Sequence, residues 1–495
     1  MNTNLPATIA SLQTGTRMTL VMLAGLILFT GCSFAPHYAK PSVPTPAAFK
    51  ELSPEQFQAT DGWKTAEPKD TVVRGRWWEV FRDPELNGYE CQVTVSNQSV
   101  AAALANFLAA RAVVKQARSQ YFPTATAVPS VTRSRAPSLS TPVTSVTGTE
   151  YSLPMDASWE PDLWGRIRNT VKANSLAAQA TLADLGDVRL TVAAEVAVDY
   201  FEVRILDAQT RLLDASALAA LESLKLTRVQ ATAGLAAGQD IDLAETQLEI
   251  ARAQATDLGI QRAQFEHAIA MLLGQPASTF FIATNSLAAR PPAIPFGVPS
   301  ELLERRPDVA AAERRVAEAN AQIGVARAAY YPTVTLSGAV GYQSTSLQNL
   351  FSAPGLVWSV GSTLSQTLFD GGLRRAVTEQ SRAIYQGTVA NYRQTVFTAF
   401  QEVEDNLSSL RILSQELRQQ HAAVTASQGY LTLAGARYQT GLDSYLVMLT
   451  AQTTLLANQR TALNLELEQL TASIQLIKAL GGGWEDSPGA TAAIP

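Results

Sequence analysis

Two cysteines and three histidines are all that 495 residues offer, and the histidines stand far apart. That leaves little for a disulfide framework or a metal site, and a histidine-centred triad would need three distant segments to meet. No Walker-type phosphate loop and no His-Glu-x-x-His occurs. Gly481-Gly482-Gly483 is followed by neither Lys nor Ser/Thr, so it reads as a helix stop and not a phosphate cradle. No enzyme chemistry and no cofactor is therefore expected. Charged residues make up 16% of the chain and net charge is −5. It becomes −6 once a leader carrying only Arg17 is removed, and no nucleic-acid footprint results. Aromatics are scarce too, at 7% against 46% hydrophobic residues, with alanine prominent among the latter. That composition favours long, closely packed helices over a thick globular core.

What is present begins at the N-terminus. Arg17 precedes an apolar run from Met18 to Phe29, about a dozen residues and too short to span a bilayer as a helix. It ends in Leu28-Phe29-Thr30-Gly31-Cys32-Ser33, which resembles the lipobox of bacterial lipoproteins, with Phe29 where Leu is usual. The resemblance implies a signal peptide over 1–31 and acylation of Cys32, tethering the mature chain to a bilayer; the alternative is an ordinary secretory leader. Ser33, where Asp would retain such a protein, resembles the rule that sends lipoproteins to the outer membrane. Cys91 then lacks a partner within the chain and is expected as a lone buried thiol.

Residues 33 to about 75, rich in Pro, Ala and Thr, read as an extended arm. A helix is predicted from about Ser99 to Gln120, stopped by Tyr121-Phe122-Pro123, because the residue before proline disfavours helical geometry. A weak alternating segment (122–135) and a clear strand (150–161) follow. The latter sets Tyr151, Leu153, Met155, Ala157 and Trp159 against Ser152, Asp156, Ser158 and Glu160, a period of two. After Asp162-Leu163-Trp164-Gly165-Arg166 a helical pattern runs to about Thr232. Its apolar positions 185, 188, 192, 196, 203, 206, 213, 217, 220 and 224 follow the 3/4 spacing of a coiled-coil seam. Roughly 67 residues make a rod of about 100 Å. Gly234 to Gly238 breaks it, and a return helix runs from Asp240 to Leu273.

The order then repeats. Tyr331-Pro332 answers Phe122-Pro123 at an offset of 209, and Gly372-Leu373-Arg374-Arg375 answers Gly165-Arg166-Ile167-Arg168 at 207. Arg437-Tyr438-Gln439 is set against Arg228-Val229-Gln230 at 209, and Leu480-Gly481 against Leu273-Gly274 at 207. Such constancy indicates an internal duplication. In the second half, Val334, Leu336, Gly338, Val340 and Tyr342 alternate with small or polar residues (331–345). Leu356, Trp358, Val360, Leu364 and Leu368 do the same (356–369). The second long helix has its own seam from Val396 to Leu431, with His421 expected as a half-buried seam residue.

Each alternating segment has about ten or more residues, enough for a tilted strand to cross a bilayer, though a hairpin in a soluble sandwich fits the same pattern. Tyr151, Trp159, Tyr342 and Trp358 are candidates for membrane-interface aromatics. Spanning strands must belong to a closed barrel, and four cannot close alone, so several chains would have to share one. A lipid-tethered coiled-coil spacer or adhesin without a pore explains the helices but not the four symmetrically placed segments.

Further stretches stand out: Trp77-Trp78 with Asp83-Pro84-Glu85-Leu86, Asp162-Leu163-Trp164-Gly165-Arg166 and Pro299-Ser300-Glu301-Leu302-Leu303-Glu304-Arg305-Arg306-Pro307-Asp308. With them go Phe369-Asp370-Gly371-Gly372, Arg437-Tyr438-Gln439-Thr440-Gly441 and Ala479-Leu480-Gly481-Gly482-Gly483-Trp484. In these the chain resembles the outer-membrane factors of the TolC family, in the acylated branch that serves resistance-nodulation-division (RND) pumps. The resemblance implies an α+β membrane protein built from a duplicated strand-pair/long-helix repeat. Three copies would form a homotrimeric 12-strand transmembrane β-barrel continuing into a periplasmic α-helical barrel. The expected division is 32–98 for the lipid-anchored arm and equatorial region, 99–276 for the first repeat, 277–306 for a linker, 307–481 for the second repeat and 482–495 for a tail. The expected function is an exit duct of a tripartite efflux system in the Gram-negative outer membrane, joined to a periplasmic adaptor and an inner-membrane RND-type transporter. The family's gate falls at the turns 234–242 and 441–450. Leu446 matches the apolar gate position, while Thr450 stands where many members have Asp. Asp443, Asp240, Asp242 and Glu245 lie nearby, Glu245 aligning with Thr450 at an offset of 205. For Asp240 and Asp242, helix capping and dipole compensation compete with a gate role.

Overall fold

The computed structural model describes residues 34–46, 49–51, 76–137, 145–285, 292 and 305–482; the leader, Cys32 and the tail from 483 lie outside them. The chain divides into two compact units. One takes Phe107–Ala180, Ala312–Tyr392 and the arm as far as Pro41; the other takes Ser42–Asn106, Thr181–Ala311 and Arg393–Pro495.

Helices are paired across the duplication. α1 is Pro84–Ser96. α2 (Gln98–Ser119) and α5 (Pro307–Ala328) have 22 residues each. α3 (Arg166–Thr232) and α6 (Leu373–Gln439) have 67 each. α4 (Gly238–Leu272) and α7 (Tyr445–Ala479) have 35 each. The first pair starts 209 positions apart and the other two 207 apart. Equal helix lengths leave no room for a slip, which corrects two of the expected alignments. Arg437 answers Gln230, not Arg228, and Thr450 answers Leu243, not Glu245.

Several of the quoted motifs are helix starts, while Arg437-Tyr438-Gln439 and Ala479 close α6 and α7. Asp83 accepts hydrogen bonds from the amides of Glu85 and Leu86, with Pro84 at the first helical position. Asn97 accepts from the amides of Ser99 and Val100 and donates to the Leu272 carbonyl at 2.7 Å. Asp162 accepts from the amides of Ile167 and Arg168, and Asp370 from those of Gly372 and Arg374. Gly371 and Gly372 sit at φ 62° and 92°, where a side chain would be strained. Arg306, nearly fully buried, ties the second repeat together through Asp308, Glu402 and the Ala479 carbonyl.

In the strand-bearing unit, β1 (Thr124–Ala127) and β2 (Ser130–Pro137) both pair with β3 (Ser145–Trp159) in one register, Ala127 opposite Met155 and Ser130 opposite Ser152. They are one strand interrupted at Pro129, which has no N–H to give the ladder. β3 then pairs with β4 (Thr333–Ser344), and β4 with β5 (Leu356–Ser365), all antiparallel. Four strands result. β3 begins at Ser145, before the expected 150, and β5 ends at Ser365, short of 369. The arm lies in the same unit. Phe34 stacks on Tyr331 at 4.1 Å, Tyr331 stacks on Trp164, and Asn320 donates to the Pro36 carbonyl. Gly324 lets Ala35 approach; a Cβ there would stand 2.6 Å from that of Ala35.

The other unit holds the principal core, with Trp77, Trp78, Phe81 and Leu86 against Val192, Val196, Tyr200, Phe201 and Val203 of α3. Leu206, Leu213, Ala220 and Leu224 continue the predicted seam, all buried. Two expectations fail here. His421 is exposed; the α6–α7 contact at its level is polar, with Gln420 donating to Asn458 and Asn458 to Ser427. Cys91 is exposed as well, because α1 turns Leu86, Glu90 and Val93 inward.

Glu90 is fully buried, and neither carboxylate oxygen has a hydrogen-bond partner among the described residues. Burial pushes its pKa well above the carboxylate range. The folded state therefore favours the proton. The associated stability is complete below the unfolded-state pKa and is lost as pH rises through the raised folded value. Glu90→Gln, which mimics the protonated form, is expected to raise the thermal midpoint at pH 8 and to flatten its fall between pH 5 and 9.

Candidate functional site: an open-edged sheet and two helix tips

Alternation along paired strands assigns every strand residue to one of two faces. One face carries Ala125, Ala127 and Val131, then Leu153, Met155, Ala157 and Trp159, then Val334, Leu336, Val340 and Tyr342, and on β5 Leu356, Trp358, Val360 and Leu364. Trp358 is 74% and Val360 81% exposed, so this apolar face is uncovered within the chain. The other carries Ser, Thr, Gly and Gln with Glu150 and Asp156, and Gln343 donates to Glu150 across it. Among the described residues the β1/β2 strand and β5 each have a single neighbour, leaving both sheet edges open.

The aromatics follow a rule. Trp358 pairs with Val340, and Tyr342 lies two residues further along β4; Tyr342 pairs with Leu153, and Tyr151 lies two further along β3. A constant stagger of this kind is what tilted strands in a barrel require if the aromatics are to share one level. Trp159 lies eight residues from Tyr151, about 26 Å along the strand or about 20 Å in height at a tilt of about 40°, most of the height of a barrel's apolar band. Its Nε1 donates to the Tyr121 carbonyl at 3.0 Å.

The helix tips belong to the other unit. Gly234 and Gly441, at φ 77° and 73°, turn the chain between α3 and α4 and between α6 and α7. Tyr438, Tyr445 and Leu449 of one tip pack with Ala220, Leu224, Ala244 and Leu248 of the other, and Tyr438 and Thr227 share a 2.8 Å hydrogen bond. Leu446 is 60% exposed, at the margin of the α7 face that buries Tyr445 and Leu449. Exposed Thr450 donates to the Leu446 carbonyl. Asp443 forms a bidentate pair with Arg437 at 2.7 and 3.0 Å, which holds its carboxyl below the usual range. Asp240 accepts the Ala237 amide, the capping role anticipated for it. Asp242 and Glu245 are exposed along α4, Glu245 facing Arg228 at 3.3 Å.

Two groupings were not anticipated. Buried Arg204 donates to Glu85, Asp207 and the Ala283 carbonyl, while Arg262 joins Asp207, Glu266 and the Ile282 carbonyl. Glu195, Asp199 and Glu202 line one side of α3, where burial and then the two neighbouring carboxylates push Asp199 up to about 7. Their spacing of four and three was the available signal.

The model of the outer membrane efflux protein family matches this chain twice, over residues 92–275 and 298–482. The chain belongs to the outer membrane efflux protein family. The double match coincides with the paired helices. A Pseudomonas putida solvent efflux pump outer membrane protein, SrpC, is 32% identical over 93% of this chain and 97% of its own. The outer-membrane channel OprN superposes with a TM-score of 0.82 at 29% identity, covering 92% of this chain and all of its own. The open state of the Neisseria gonorrhoeae MtrE outer membrane channel gives 0.77 at 27%, over 91% and 98%. The protein is thus an outer-membrane efflux channel of the Gram-negative envelope, a duct and not an enzyme.

Proposed function

We propose that three copies of this efflux channel share one twelve-strand barrel in the outer membrane. Their helices line a periplasmic passage that receives small molecules from an inner-membrane RND-type transporter through a periplasmic adaptor. The observation that carries the reading is the sheet: four strands, one apolar face uncovered and both edges open. In lipid an unpaired edge is untenable, and four strands are too few to close on themselves. Purified protein should run as heat-modifiable trimers and conduct in planar bilayers. Monomers without conductance would leave only a tethered spacer.

The tips are the proposed gate. Leu446 is an exposed apolar side chain at the packed tip, whereas Asp443, Asp240 and Glu245 each have a local partner, leaving Asp242 as the acidic contribution. Leu446→Ala is expected to raise single-channel open time and antibiotic permeability; unchanged values would remove Leu446 from the gate. Acylation at Cys32 is proposed on the lipobox and on Phe34, two residues downstream and stacked against Tyr331 just before β4. Palmitate labelling that survives in Cys32→Ala would refute it.

A further inference from the structure

The described strands carry four charged side chains, and they are segregated by sign. Glu150 and Asp156 fall on the polar face; Arg133 and Arg135 fall on the apolar, outward one, opposite Thr149 and Thr147. The side-chain contact agrees with the register, since Arg135 donates from Nε and Nη2 to Oγ of Ser145 at 2.9 and 2.7 Å. Position along the strand matters as much. The aromatic stagger runs Trp358, Tyr342, Tyr151 in steps of two residues per strand, and Tyr151 pairs with Val131. One further step lands on Arg133, with Arg135 about 7 Å beyond it. Two exposed guanidiniums therefore stand where the apolar band gives way to water. No carboxylate shares their face, and the connecting segments 138–144 and 345–355 contain no charged residue.

We propose that Arg133 and Arg135 bind the phosphate groups of lipids in the outer leaflet of the outer membrane. Guanidinium forks match phosphate oxygens bidentately, and the apolar residues directly below provide a surface for the acyl chains of the same lipid. A lipid headgroup fits this pairing of charge and grease better than a free anion does. The proposal rests on the outward face meeting lipid, and its test separates the two.

Full-length channel is reconstituted in phosphatidylcholine vesicles containing either a bis-phosphorylated glucosamine-disaccharide lipid or its dephosphorylated form. Lipid retained by the trimer after detergent extraction is then measured by native mass spectrometry. The phosphorylated form should be retained selectively, and Arg133→Gln/Arg135→Gln should weaken retention about 30-fold, with Glu150→Gln unchanged. Equal retention of both lipids, or an undiminished double variant, overturns the proposal. Displacement by millimolar inorganic phosphate also overturns it, since that would mark a free-anion site. Conductance and heat-modifiable trimers, followed in parallel, report the barrel independently. If the double variant does not assemble, the comparison of the two lipids on the unmodified channel decides alone.

Discussion

Met155→Arg is expected to remove the channel from membranes. Met155 lies on β3 halfway between Tyr151 and Trp159, on the uncovered apolar face, and is 57% exposed within the chain. An Arg at the middle of a barrel's lipid face destabilises by about 2–4 kcal/mol. Three copies in one barrel would multiply that to roughly 6–12 kcal/mol, comparable with the whole stability of a typical domain. Ser152→Arg, three residues earlier on the same strand and on the opposite face, should assemble normally and alter only conductance and ion selectivity. The readout is the fraction of SDS-resistant trimer in outer-membrane preparations. Equal behaviour of the two variants would mean the faces have been assigned wrongly.

Arg204→Ala should have the second-largest effect, through the helical unit. The side chain is 1% exposed and is the bulkiest of the fully buried ones. Its removal opens a cavity and takes a partner from Asp207 and from the Ala283 carbonyl. Breaking one partner of a buried ionic cluster costs about 3–5 kcal/mol. Arg252, which pairs with Glu249 where both are more than half exposed, is the comparison: Arg252→Ala should leave the thermal midpoint unmoved. A similarly small shift in Arg204→Ala would show that Arg262 and relaxation of the cluster compensate for the loss.

Long helices, their seams and their starts were legible because each rests on local chemistry: 3/4 spacing of Val and Leu, an Asp or Asn cap, a glycine where φ must be positive. The strands were legible from alternation, and a duplication of that order from recurring stops. What escaped was set by partners distant in sequence. Arg204, Asp207, Arg262 and Glu266 look like ordinary solvated positions on helices until Glu85 and the 282–285 backbone fold over them. His421 sits at a seam position but where the companion helix offers Asn458, so the contact there is polar. The alignments of Glu245 with Thr450 and of Arg228 with Arg437 failed because short tripeptide likenesses slide by two residues, whereas helix lengths do not. At the tips the candidates lay in one neighbourhood, but sequence alone could not tell that Arg437 already occupies Asp443.

The two hairpins differ in reach. β3 runs on past Tyr151 to Ser145, whereas β4 stops at Ser344, immediately after Tyr342. In the proposed trimer the longer pair would recur three times around the rim, as merlons of paired strand alternating with stretches closed by the 345–355 turns. A phage fibre or an antibody arriving from outside the cell would then be expected to meet the merlons first.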